Sequence, residues 1–153
     1  MNYCDIRSSS YDVDYEVKYM GEKYFSILFW GMRYDSGAYP NDIALGLTYD
    51  MTTGQLLGIA DIIEESELQQ RLEQRDFEQV YGMKIKYYES DVNGGEVNWF
   101  NKYLAGESID EYGKHNTDFY LTADRISVLY EIPHSFGDYI VVEIEWKNEE
   151  KEI

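Results

Sequence analysis

The chain reads as an α+β domain: an antiparallel sheet of about six strands, with one main helix and a possible second helix packed on one face. Three observations carry this reading. Strict two-residue alternation of apolar and charged side chains opens the sequence and returns near its end. Between those regions, after Asp61, the apolar residues shift to helical spacing. Aromatic residues make up 16% of the chain and supply the core bulk that acidic disordered chains lack.

The first strand is expected over 12–19, with Val13, Tyr15, Val17 and Tyr19 on one face and Asp12, Asp14, Glu16 and Lys18 on the other, half in solvent. Gly21 and Glu22 turn the chain into a second strand, 24–34, which is apolar on both faces and so belongs in the centre of a sheet. Gly31 within it marks a bulge or a close backbone approach. Gly37 and Pro40 make 35–41 a loop. A third strand, 42–49, sets Ile43, Leu45, Leu47 and Tyr49 against the small Ala44, Gly46 and Thr48, where a helix or a second layer can pack. The chain then reverses at Gly54, a residue that tolerates positive φ. Ser66, with Gln69 three residues on, predicts a helix start; Leu68, Leu72, Phe77, Val80 and Tyr81 carry the helix to a stop at Gly82. A second helix followed by a loop is expected within 83–114. Three further strands follow at 118–122, 126–132 and 139–146.

A length of 153 residues sets one domain, with a flexible segment at 1–11, the α+β domain over 12–146 and a charged tail at 147–153. Thirteen basic against thirty acidic residues leave a net charge of −17, which argues against nucleic acid as a partner. No apolar run approaches the roughly 20 residues of a membrane helix. The first ten residues lack the charged and apolar regions of a secretory signal, which fits a cytoplasmic protein and equally an extracellular domain without its leader. Cys4 is the single cysteine and decides neither compartment.

The sequence contains no phosphate loop, no G-x-S-x-G, no H-E-x-x-H and no paired C-x-x-C. His115 and His134 fall in loops without neighbouring ligands and read as surface histidines. Neither 35–42 nor 91–96 follows the spacing of an EF-hand calcium loop. Thirty acids place some carboxylates together by chance, so pairs alone do not argue for glycosidase chemistry. The expectation is a chain without catalytic residues, metal or cofactor, acting by binding.

The segments Tyr49-Asp50-Met51-Thr52-Thr53-Gly54-Gln55-Leu56-Leu57, Asp61-Ile62-Ile63, Asp118-Phe119-Tyr120-Leu121-Thr122, Tyr130-Glu131-Ile132 through Gly137, and Val141-Val142-Glu143-Ile144 carry a resemblance. In this order they resemble an extracellular domain-of-unknown-function family, found in the lysozyme-sensing anti-sigma-V factor and in the N-terminal region of some peptidoglycan deacetylases. The resemblance covers about Tyr15 to Trp146 and rests on turn and strand residues. It departs at Tyr39, where the family carries a histidine, so no metal or acid–base role transfers to this position. The resemblance implies loops at one end that enter a partner's cleft, with Tyr39, Pro40, His134, Phe136 and Tyr139 as contacts.

Three readings follow. The first is a binding domain of the bacterial cell envelope or a secreted protein, capturing a cationic protein such as lysozyme. The second is an accessory domain presenting peptidoglycan or another cell-wall glycan to a catalytic module. The third is a free-standing acidic inhibitor or immunity protein of the cytoplasm. An extracellular or envelope location is what the resemblance implies.

Overall fold

The computed structural model describes residues 9–35, 39–82, 118–132 and 134–148, with the Phe136 side chain left out. The second helix expected within 83–114, together with Cys4, His115 and 91–96, lies outside the described residues.

The described residues form two antiparallel sheets rather than one sheet of about six strands, which corrects the α+β expectation: the fold is mostly β with a single short helix. The first sheet is a meander of β1 (Ser10–Met20), β2 (Tyr24–Tyr34) and β3 (Asn41–Asp50). The second contains β4 (Glu78–Tyr81), β5 (Asp118–Leu121), β6 (Arg125–Glu131) and β7 (Tyr139–Glu145), in the order β4-β7-β6-β5. Alternation predicted most of these strands, but periodicity within a strand carries no information about which sheet it joins.

The second sheet is the middle of three layers. One of its faces, with Phe119, Leu121, Ile126, Val128, Tyr130, Ile140, Val142 and Ile144, packs on Ile63, Leu68 and Leu72 from and beside helix α1 (Glu65–Glu73). The opposite face offers Tyr120, Leu129 and Val141 to Leu28 and Ala44 of the first sheet. The small face of β3 therefore meets the second sheet, one of the two neighbours, helix or layer, that its residue sizes allow. At Gly46 the approach is closest: a Cβ there would stand 2.6 Å from the Phe119 carbonyl oxygen. Beside it, Ser26 and Thr48 share a buried hydroxyl pair at 2.7 Å, and the Leu121 amide donates to Ser26 Oγ at 3.0 Å. That bond satisfies a backbone donor of edge strand β5 with a side chain of the other sheet.

The predicted helix is too long. It ends at Gln74, Arg75 takes a left-handed φ of 59°, and Glu78–Tyr81 pairs with β7. Val80 and Tyr81 fit the helical period by coincidence; as β-branched and aromatic residues they also suit a strand, and pairing along β7 decides. Ser66 lies inside the first turn, and Glu64 occupies the cap position without a side-chain bond.

β1 departs from its predicted faces. The register shifts between Val17 and Tyr19, leaving Lys18 as an extra residue. Tyr19 is buried at 1% exposure, whereas Tyr15, meant for the same face, is 62% exposed against the outward ring of Phe29. Before the bulge it is Asp12, Asp14 and Glu16 that share a face with Met32, Trp30 and Leu28. Gly31 resolves as a close approach, with the Asp12 carbonyl 1.9 Å from where a Cβ would stand, while the register runs on unbroken through it.

Two polar positions give stability predictions. The Tyr130 hydroxyl is buried and finds no hydrogen-bond partner among the described residues. Tyr130→Phe removes that unsatisfied group and is expected to raise unfolding stability by about 1 kcal/mol in urea titrations. Asp118 sits half-covered on β5, where burial first, then the Glu131 charge, pushes its carboxyl up to about 6. The folded value exceeds the unfolded one of about 3.9, so this group's stabilising contribution is complete below about pH 4 and is lost as pH rises through 6. Solvent screening reduces the nominal ~3 kcal/mol to about 1. Asp118→Asn is expected to flatten the stability profile between pH 4 and 7 and to raise stability at pH 7.

Candidate functional site

The start of β3 and the hairpin joining β6 to β7 are distant in sequence and meet through one side chain. Asp138 makes the junction. Its Oδ1 lies 2.8 Å from His134 Nδ1, and its Oδ2 accepts the backbone amide of Asp42 at 2.7 Å. The hairpin is shaped for this by two consecutive left-handed residues, Gly137 (φ 104°) and Asp138 (φ 71°). Aspartate is among the few side chains that tolerate this conformation, and here its carboxylate spans two elements.

Four of the five expected contact residues can be placed. Tyr39 is 75% exposed at the loop tip, and Pro40 is exposed beside it. His134 is exposed and held by Asp138. Tyr139 is not a tip residue: it is half-buried and stacks on Tyr81 with ring centroids 4.6 Å apart and planes 13° from parallel. Its phenol is pushed well above the ordinary range, first by burial, then by the Tyr81 hydroxyl and the Asp42 charge. Phe136 lies on the short 3-10 turn His134–Phe136, and its side chain is outside what is described.

Two of the clefts on the described surface bear on function. The larger, about 780 Å³, lies between α1 and the end of β7 and contains its own cations, Arg71 and Lys147. Arg71 binds Glu67 at 3.1 Å and the Glu145 carbonyl at 2.6 Å, so this groove is cross-linked from within. The smaller, about 310 Å³, adjoins the Asp138 junction and is lined by Asp12, Asp14, Trp30, Gly31, Met32, Asp42, Tyr81 and Tyr139. Among the described residues, no basic side chain lines it. Asp118 and Glu131, the acidic pair with a raised carboxyl, line neither cleft.

Sequence reasoning missed Asp12, Asp14, Trp30, Asp42, Tyr81 and Asp138. The first four sit in strands whose faces depend on the β1 bulge and on sheet pairing. Tyr81 was read into a helix. Only Asp138, following Gly137 in an expected hairpin, carried a local signal: Gly-Asp is turn chemistry.

No family model matches the chain, and no curated protein matches it. No helix among the described residues is long and apolar enough to cross a membrane.

Proposed function

We propose that the chain is a non-enzymatic binding domain of the bacterial cell envelope that captures a basic protein, with lysozyme the partner to which the sequence resemblance points. The observation supporting this most directly is the Asp138 junction. It ties His134 to Asp42, two residues after Pro40, and so links the two separate segments that carry the expected contacts. A net charge of −17 attracts a cationic protein over distance and accelerates encounter. Exposed charges are screened beyond roughly 8 Å at physiological salt, so lasting capture needs an anchor that enters the partner. The projecting Tyr39 ring is suited to that task.

Calorimetric titration with a c-type lysozyme, at low and at moderate salt, tests the reading. Saturable micromolar binding that weakens with salt is expected. Tyr39→Ala should weaken it at least tenfold by removing the anchor, and Asp138→Ala should weaken it by unlinking the two segments. Absence of heat at micromolar protein in low salt sinks the proposal.

A further inference from the structure

We propose that the smaller cleft is a receptor for a single guanidinium group, the arginine side chain of a basic partner; this rests on the reading above for the partner and on the cleft itself for the chemistry. Its floor is Trp30 and Met32 of β2. Asp12 and Asp14 flank the floor from β1, paired across to Met32 and Trp30, and Asp42 flanks it from β3, paired to Met32 on the other side. Neighbouring strands stand about 4.8 Å apart, so Asp12 and Asp42 face each other across roughly 10 Å. The stacked Tyr81 and Tyr139 rings, carried by the other sheet, form a further wall.

The chemistry of this lining is selective. Three carboxylates demand a cation, and none of the three forms an ion pair among the described residues. Glu16, next along the same row, is by contrast paired to Lys18 at 2.7 Å. A metal ion is disfavoured by geometry, because no three His, Cys, Asp or Glu groups among the described residues converge closely enough to hold one. The spread acids and aromatic walls suit a broad, weakly hydrated organic cation. A guanidinium stacks its plane on rings and offers donors at its edge to carboxylates, which an ammonium does less well. The volume of about 310 Å³ fits one side chain rather than a folded segment.

The test uses the full chain and N-acetylarginine amide as probe, with N-acetylcitrulline amide as its uncharged counterpart, followed by chemical-shift changes in the aromatic region. Saturable millimolar binding of the arginine compound, no binding of the citrulline compound, and at least a tenfold loss in Asp12→Asn/Asp42→Asn are expected. Both substitutions keep side-chain shape at exposed positions, and an unchanged urea midpoint verifies folding; Asp14→Asn alone serves as the milder variant and should show a smaller loss. Failure of the arginine compound to saturate, or equal binding of the citrulline compound, overturns the proposal. The lysozyme titration separates it from the wider reading. Lysozyme bound equally by wild type and by the double variant overturns the cleft assignment alone. A chain that takes the arginine compound but no lysozyme retains the cleft and loses the partner.

Discussion

Gly46→Ala is expected to cost about 3 kcal/mol of unfolding stability, the upper range for overpacking a well-packed interior. The added Cβ would stand 2.6 Å from the Phe119 carbonyl oxygen and 2.7 Å from its carbon. Both are backbone atoms of a strand hydrogen-bonded to β6, so neither can move without opening the β5–β6 ladder or separating the sheets. Urea titration measures the loss, and dye binding to newly exposed apolar surface would report sheet separation. Gly54→Ala supplies the contrast. There the glycine is needed for its φ of +72°, and nothing lies within 4 Å of the added carbon. That substitution should cost only about 1 kcal/mol. Equal effects at the two positions would contradict the layered packing.

Ser26→Ala is expected to cost about 2 kcal/mol, because it strands a buried donor rather than removing a contact. The Leu121 amide sits on an edge strand that is fully buried at that residue and has Ser26 Oγ as its acceptor. Without it the amide bears an unpaired desolvation penalty. Thr48→Val should cost less, about 1 kcal/mol, since Ser26 keeps its bond to Leu121 and loses only the hydroxyl 2.7 Å away. Chemical denaturation of the pair, together with amide hydrogen exchange at Leu121, checks the order. Faster exchange at Leu121 in Ser26→Ala but not in Thr48→Val is the expected pattern.

Strand existence was legible wherever the alternation was long: β2 runs over the residues that its apolar faces predict, and β3 lies within one residue of them at each end. The small face of β3 also announced its neighbouring layer. What pattern could not supply was assembly. Nothing in 139–146 distinguishes a strand extending the first sheet from one in a second, and Glu78–Tyr81 belongs to a strand only because β7 offers it an edge. The candidate site divides in the same way. Tyr39, Pro40 and His134 were legible as loop residues from composition, whereas Asp12, Asp14 and Asp42 look like ordinary solvated charges until two strand pairings and one irregularity turn them toward Trp30 and Met32.

That irregularity at Lys18 makes β1 a strand with two possible frames. Were the ladder to run on from Tyr19 without the extra residue, each earlier position would slide by one, and Val13 and Tyr15 would lie opposite Met32 and Trp30. The same peptide would then show an oily lining inward and its acids to water. Which of two opposite solvents the groove resembles is thus decided by one displaced lysine, whose ammonium is held 5.4 Å from the Tyr120 ring centre.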